Sequence, residues 1–161
     1  MPTIWQAWAP AKCRLLAWLF VQNRVLTADR LLARRWPNSY FCPLCMRNLE
    51  TAEHLLVECP WSTALWFRVA DKFGAASLRP DTWNLPLASL PSWLASLSAL
   101  VGDPAKTAKS LALLVIWTIW RERNARIFRG SHRSPDVAAR EVFDEAAAWA
   151  LAGCRHIRCR E

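Results

Sequence analysis

Glycine is scarce in this chain, with four residues scattered among 161. Gly-rich phosphate-binding loops and the Gly-x-Ser-x-Gly turn of serine hydrolases both need glycines at fixed short spacings, and neither pattern occurs. The chain also has no paired aspartates of the kind that two-metal nucleotidyl transfer needs. Because the common catalytic patterns are absent, we expect a protein that is not an enzyme.

Long hydrophobic runs are absent as well. The longest, Leu111 to Trp120, lies between Lys109 and Arg121 and is too short to span a bilayer, so it predicts a buried helix. The N-terminus shows no basic-then-apolar signal pattern. We therefore expect a soluble intracellular protein with no membrane partner, and the sequence leaves nucleus and cytoplasm open.

Acidic residues are outnumbered, at 13 Asp and Glu against 21 Lys and Arg, which gives a net charge of +8. Such a charge neutralises phosphates and speeds encounter with a polyanion, so it favours RNA or DNA as a partner. The candidate contacts for nucleic acid are six arginines: Arg34, Arg35, Arg121, Arg123, Arg126 and Arg129. Solvated helix faces and helix ends that attract cations explain the same residues, and the sequence does not decide between these interpretations.

Tyrosine occurs once, yet the chain has eleven tryptophans. Large rings in this number indicate either a helical core packed with aromatic side chains or a surface that binds a partner. The sequence does not show which tryptophans are exposed.

The segment from Cys42 to Cys59, CPLCMRNLETAEHLLVEC, holds four possible zinc ligands: Cys42, Cys45, His54 and Cys59. The Cys-x2-Cys spacing lets two thiolates reach one ion from a tight turn, and the histidine and last cysteine complete a Cys3His set. Catalytic zinc usually keeps one position for water, so four protein ligands predict a structural zinc ion. Buried or disulfide-bonded cysteines are the alternative, which the absence of a secretory signal disfavours.

His54 and Cys59 need a particular local geometry to meet. Thr51 predicts a helix N-cap, and on a continuous α-helix residues five apart lie about 140° apart around the axis. Pro60 offers a solution, because the residue before a proline is pushed out of the α region and Cys59 then turns toward the metal. Pro60 also begins the next predicted helix, which Gly74 ends.

Helical periodicity runs through the rest of the chain, so the predicted fold is mainly α: a helical domain with an embedded Cys-Cys-His-Cys zinc knuckle-like turn and a long C-terminal helix pair. The helical pattern is interrupted by three prolines, Pro80, Pro86 and Pro91. We therefore predict a zinc-binding domain (1–74), a Pro-containing connection with a short helix from about Pro91 to Val101 (75–103), and a C-terminal helical region (104–161).

The longest predicted helix begins at Asp103-Pro104 and ends at Phe128. Its periodicity gives one apolar face, containing Leu113, Ile116, Trp117, Trp120, Ile127 and Phe128. The opposite face holds Arg121, Glu122, Arg126 and Arg129. Asn124 lies within the apolar face, where we expect its amide to bond to neighbouring backbone.

Ser134 predicts the start of a final helix, which ends near Gly153. In the tail beyond it, Cys154, His156 and Cys159 could form part of a second metal site. Three ligands at a terminus are more typical of a frayed basic tail, which is the interpretation we favour.

Four stretches between about Ile4 and Trp66 belong together: IWQAWAPAKCRLLAWLFVQNRVLTADRLLARRW, CPLC, ETAEHLLVEC and STALW. In this order they resemble the reverse transcriptase zinc-binding domain found near the C-terminus of plant non-LTR (LINE-type) retrotransposon polyproteins. A further stretch, IWTIWRERNARIF from Ile116 to Phe128, resembles the helix that commonly follows this domain. The family pattern makes Cys42, Cys45, His54 and Cys59 the zinc ligands.

The resemblance implies a role beside a reverse transcriptase, in gripping template RNA or target DNA. Because the chain shows no polymerase domain, that enzyme would be encoded elsewhere. Our leading hypothesis is therefore a non-catalytic zinc-binding module of retrotransposon origin that binds RNA or DNA. The alternative is a zinc-stapled helical module that binds proteins and no nucleic acid.

Overall fold

The computed structural model describes residues 2–83, 89–97 and 102–158. Seven α-helices lie in these ranges: α1 (Pro2–Gln6), α2 (Ala11–Val21), α3 (Ala28–Ala33), α4 (Pro60–Phe73), α5 (Leu90–Ser96), α6 (Asp103–Arg129) and α7 (Pro135–Leu151). A π-helical turn (His54–Glu58) precedes α4, and two 3-10 turns (Ala76–Leu78 and Pro80–Thr82) follow it. No strand forms in these ranges, where an isolated antiparallel bridge pairs Phe41 with Leu49. The mainly α prediction is confirmed.

Helix α6 runs through the hydrophobic core. It is buried nearly all round from Leu111 to Ile116, because this apolar run leaves no polar face. Helices α2 and α7 pack along α6, and α4 packs against α7. Neither α6 nor any other helix in the described ranges is long and apolar enough to cross a membrane.

The hydrophobic core takes side chains from all three predicted segments of the chain. Leu65 and Val69 come from the first segment, Leu78 and Leu97 from the connection, and Ile119 from the last. The division of the chain into a zinc-binding domain, a connection at 75–103 and a C-terminal region therefore stays a prediction.

Tryptophans fill part of this core. Trp66 is fully buried, and its ring meets Trp83 and Trp93 edge-on at centroid distances of 5.5 and 5.4 Å. Such edge-to-face contacts stabilise an aromatic cluster beyond the burial of its surface. Trp5 and Trp36 are exposed, so the tryptophans serve both the core and the surface.

The last two turns of α6 contradict the predicted helix faces. Glu122 and Arg123 are buried, whereas Ile127 and Phe128 are exposed, the phenylalanine at 75%. This end of the helix leaves the apolar core and packs against polar groups of the Cys42–Cys59 segment, so apolar periodicity no longer decides which side is buried. The side-chain oxygen of Asn124 accepts a hydrogen bond from Arg123 on the same helix, and not from neighbouring backbone as expected.

Most helix ends lie where the capping residues predict. Helix α4 ends before Gly74, and the hydroxyl of Ser134 accepts a hydrogen bond from Val137 N–H at the start of α7. Helix α5 covers Leu90–Ser96 of the short helix predicted from about Pro91 to Val101. Residues 98–101 of that prediction, and Pro86, lie outside the described residues. The capping residue of α6 is Gly102 and not Asp103, which is already helical.

The chain beyond α7 folds back onto α6, so the prediction of a frayed tail is wrong as far as Ile157. Cys154 and Ile157 are buried, and the hydroxyl of Thr107 donates to the His156 carbonyl at 2.7 Å. Cys154 Sγ lies 3.2 Å from His156 Nε2, but no third metal-ligand side chain joins them within the described ranges. Cys159 lies outside the described residues.

Glu122 is the buried carboxylate that ties α6 to the loop before α7. It accepts hydrogen bonds from Arg126 Nε, Arg133 Nε and the Arg133 backbone N–H, each at 2.9 Å. Burial by itself raises the pKa of Glu122, but these donors outweigh burial and hold the pKa below its ordinary value of 4.5. Removing the carboxylate would leave two guanidiniums without their shared partner, which is costly in a buried site.

We expect Glu122→Gln to lower the free energy of unfolding at pH 7 by about 3 kcal/mol, because the buried charge of Arg126 is then uncompensated. The contribution of Glu122 is fully present above pH 4.5 and is lost as the pH falls through the depressed folded-state pKa, so the loss should shrink in acid. Urea unfolding followed by circular dichroism at several pH values measures both effects. Glu141→Gln is the control, since it removes a half-exposed partner of Arg133 and should cost under about 1 kcal/mol. An equal loss in the two variants would contradict the assigned role.

Candidate metal centre

The Cys42–Cys45 turn lies at the tip of a short hairpin-like loop. Backbone hydrogen bonds join Cys42 N–H to Asn48 O at 2.7 Å and Glu50 N–H to Tyr40 O at 2.9 Å. At the tip, Met46 N–H donates to Cys42 O at 2.8 Å, and Met46 takes a left-handed φ of 55°. The loop therefore presents both thiols on one side of a tight turn, as the Cys-x2-Cys spacing predicts.

His54 and Cys59 are brought together by a π-helical turn, where an α-helix was predicted. Thr51 caps the turn as expected, since its hydroxyl accepts a hydrogen bond from His54 N–H at 3.1 Å. Cys59 N–H then donates to His54 O at 2.7 Å, five residues back along the chain. The wider turn brings residues five apart next to each other. Cys59 itself is extended before Pro60, with ψ 131°, as the proline predicts.

Helix α4 holds this π-helical turn in place. Pro60 has no N–H to offer the Leu55 carbonyl, which instead accepts a hydrogen bond from the hydroxyl of Ser62 at 2.6 Å. The neighbouring Leu56 carbonyl accepts one from Trp66 Nε1 at 2.7 Å. Both donor side chains are fully buried, so the turn is bonded to the core.

The donor atoms of the four predicted ligands lie within 4.8 Å of one another. Cys42 Sγ is 3.8 Å from Cys59 Sγ, and Cys45 Sγ is 3.3 Å from His54 Nε2. Zinc–sulfur bonds of about 2.3 Å place tetrahedral ligands about 3.8 Å apart, so this group fits one zinc ion with small adjustments. No other group of three or more such side chains converges in this way within the described ranges.

The four side chains perturb one another's protonation. A hydrogen bond from Cys42 lowers the pKa of Cys59, burial opposes this, and the N–H groups of Ser62 and Trp61 at the start of α4 lower it further. The same bond, with burial, raises the pKa of Cys42 to about 12, and contact with the Cys42 sulfur raises the pKa of His54 to about 9. Zinc binds thiolates and neutral imidazole, so an ion entering here displaces protons from the group.

Two of the six candidate arginines lie beneath the loop and bind it. Arg123 makes a two-pronged ion pair with the buried carboxylate of Glu50, at 2.9 and 2.7 Å. Arg126 donates from Nη1 to the carbonyl oxygens of Pro43 and Leu44, at 3.1 Å each. Both guanidiniums are bound inside the protein, so the structure does not favour them as contacts for phosphate.

The other four candidate arginines, Arg34, Arg35, Arg121 and Arg129, are exposed. Arg34 and Arg35 follow α3 and lead into the cysteine loop, and Arg129 lies one turn beyond Arg126. Arg121 instead lines a cleft with Glu141, Asp144 and Glu145 of α7. The six arginines therefore do not form one basic surface.

Sequence reasoning alone did not identify two charged residues of the loop, Arg47 and Glu50. Arg47 is exposed between Cys45 and His54, and its position between the ligands was the only signal. Glu50 is buried, which the sequence does not reveal, because its partner Arg123 is 73 residues away.

Comparison with known proteins agrees with this geometry. Residues 1–66 match the family model described as zinc-binding in reverse transcriptase, and this family is a zinc-binding one and not the catalytic polymerase domain. A protein of Arabidopsis thaliana whose name describes it as a ribonuclease H protein is 24% identical over 126 residues, which are 78% of this chain. The match covers 19% of that protein's length, so the chain spans about a fifth of it.

No solved structure matches the chain. The family match covers the whole segment from Cys42 to Cys59, and the Cys3His group within it is positioned to bind a metal ion. Residues 1–66 are therefore similar to the domain described as zinc-binding in reverse transcriptase, and zinc is the metal of that family.

Proposed function

We propose that the protein is a non-catalytic zinc-binding module of retrotransposon origin that binds RNA or DNA beside a reverse transcriptase. Its zinc ligands are Cys42, Cys45, His54 and Cys59. The spacing of the donor atoms and the full set of four protein ligands support a structural ion, since no position remains for a substrate.

The nucleic-acid part of the proposal is carried by the exposed stretch Arg34–Phe41, RRWPNSYF, called here the basic-aromatic segment. Trp36 is 62% exposed, and Tyr40 and Phe41 are also exposed. Arg34 and Arg35 form no ion pair with any residue that the structure describes. Exposed rings beside unpaired guanidiniums are the combination that binds single strands, where rings stack on bases and cations neutralise phosphates.

The conformation of Arg35 gives a second argument. Trp36 N–H donates to Leu31 O at 3.0 Å and Arg35 N–H to Leu32 O at 2.9 Å, which is the Schellman ending of a helix. That ending needs a left-handed residue, and Arg35 has a φ of 59° where glycine is usual. An arginine at such a position costs about 1 kcal/mol, and backbone strain of this kind concentrates at functional sites.

The rings favour single strands over duplexes as the ligand. Stacking needs the face of an unpaired base, whereas the bases of a duplex present only their edges. Arg47 adds a further exposed cation, which lies in the cysteine loop between Cys45 and His54.

One observation favours the alternative, a protein-binding module. Ile127 and Phe128 are exposed at the end of α6, and Met46 and Leu49 are exposed in the cysteine loop. Apolar side chains of this size at a surface are typical of protein interfaces. Absence of nucleic-acid binding would favour this second function.

We expect the purified full-length chain to bind one zinc ion and, with Co²⁺ in its place, to show the visible absorption bands of a tetrahedral thiolate site. Cys59→Ser or His54→Ala should lose the metal, because three ligands no longer fill the tetrahedron. Removing zinc with a chelator should lower the unfolding temperature, because structural zinc contributes folding free energy.

Cys13→Ala is the matched control for the metal experiment, because Cys13 is a buried cysteine of α2 outside the ligand group. It should keep one zinc ion per chain. Retention of zinc by Cys59→Ser, or unchanged stability after chelation, would contradict the assigned site.

We expect the chain to bind single-stranded RNA or DNA more tightly than duplex DNA in fluorescence anisotropy titrations. Replacing Arg34 and Arg35 together by alanine should flatten the slope of log K against log salt by about 1.4, at about 0.7 for each lost phosphate contact. Trp36→Ala should cost about 1–3 kcal/mol of binding free energy through lost stacking.

The charge-matched control removes Arg140 and Arg155, which are exposed and form no ion pair within the described ranges. Arg155 adjoins His156, which is bonded to Thr107 near the start of α6 and so lies at the opposite end of that helix from Arg126. An equal loss of affinity in the two double variants, or no binding to any of the nucleic acids, would contradict the nucleic-acid proposal.

We expect Arg35→Gly to separate binding from stability. Glycine adopts a φ of 59° without a Cβ penalty, so the free energy of unfolding should stay the same or rise by up to about 1 kcal/mol. Nucleic-acid affinity should fall at the same time, because one phosphate contact is lost. Urea unfolding and anisotropy on the same preparation measure the two effects. Loss of stability would contradict the strain argument, and unchanged affinity would contradict the role of Arg35.

A further inference from the structure

Arg126 lies beyond the residues that the family match covers, yet its side chain reaches the turn between Cys42 and Cys45. Its Nη1 lies 3.1 Å from the carbonyl oxygens of both Pro43 and Leu44, the two residues between those cysteines. One guanidinium nitrogen therefore holds both carbonyls of the turn.

The Leu44 carbonyl and the Cys45 N–H belong to one planar trans peptide unit, so they point in opposite directions. The carbonyl accepts from Arg126, which restricts the rotation of this peptide unit and so of the backbone that leads into Cys45. The contact with Arg126 thus fixes the orientation of the peptide unit that joins Leu44 to Cys45, one of the four predicted ligands. Contacts of this kind behind metal ligands are worth tenfold to a hundredfold in metal affinity.

Arg126 is itself held rigidly. Its Nε donates to Glu122 at 2.9 Å, its Nη2 donates to Arg133 O at 3.1 Å, and its guanidinium lies over the Trp61 ring at 5.7 Å. The side chain is 12% exposed. A planar guanidinium bonded at every nitrogen presents its remaining N–H groups in a fixed direction, which an ammonium on a flexible stem does not.

We infer that Arg126 is a positioning residue for the metal: it orients the Cys42–Cys45 turn so that both thiolates face one ion. The metal centre is then completed by α6 and is not contained within residues 1–66. This inference rests on the proposed assignment of the four zinc ligands.

The test compares zinc affinity in Arg126→Met and Arg133→Met variants of the full chain, measured by competition with a chromophoric chelator. Both arginines bind Glu122, but the Arg133 side chain makes no bond to the cysteine loop. We expect Arg126→Met to bind zinc about 10 to 100 times more weakly and to show altered Co²⁺ absorption bands. Arg133→Met should keep the affinity and the Co²⁺ spectrum of the unchanged protein.

Urea unfolding of the metal-free variants measures how much each substitution destabilises the fold without zinc. Arg126→Lys provides a second variant that keeps the charge and can reach fewer carbonyls, and its affinity should fall between those of Arg126→Met and the unchanged protein. Equal zinc affinity in Arg126→Met and the unchanged protein would overturn the inference. So would an equal loss of affinity in the Arg126→Met and Arg133→Met variants, which would trace the effect to general stability. Failure of the unchanged protein to bind zinc would overturn the ligand assignment itself.

Discussion

The hydrogen bond from Cys59 N–H to the His54 carbonyl, 2.7 Å long and five residues in span, controls the geometry of the whole cysteine segment. It sets the π-helical turn that brings the two residues together, where an α-helix would separate them around its axis. The same turn leaves the carbonyls of Leu55 and Leu56 to be bonded by Ser62 and Trp66 of α4. The candidate metal centre is therefore joined to the hydrophobic core by hydrogen bonds and not only by the chain.

On the other side of the cysteine loop, ion pairs take the place of apolar packing. Glu50 pairs with Arg123, and Glu122 pairs with Arg126, at the end of a helix whose middle is apolar and buried. Buried charges are favourable only when their remaining donors and acceptors are bonded. The two guanidiniums meet this condition through carbonyls of Leu26 and of the cysteine loop. Such directional contacts fix the position of a loop that has little apolar surface of its own.

The arginines show how one residue type serves two purposes in this fold. Two of the six candidates are structural because carboxylates and carbonyls surround them, and two others end α3 in solvent beside Trp36. Net charge counts all of them equally, so it predicts a polyanionic partner without showing where that partner binds. Exposure and pairing, which only the folded chain reveals, support the basic-aromatic segment as the proposed surface.

Local features could be predicted from the sequence because their causes lie within a few residues. The Cys-x2-Cys turn, the Thr51 and Ser134 caps, the extended Cys59 before Pro60 and the helix end at Gly74 are of this kind. The sequence by itself thus determined the helical class, the resemblance to a zinc-binding family and the four side chains that converge. Only the tertiary structure decided that Glu122, Arg123 and Arg126 are buried, that Phe128 is exposed and that the tail folds back on α6. These outcomes depend on partners up to 97 residues away, such as Leu26 for Arg123, and periodicity along one helix carries no information about such distant groups.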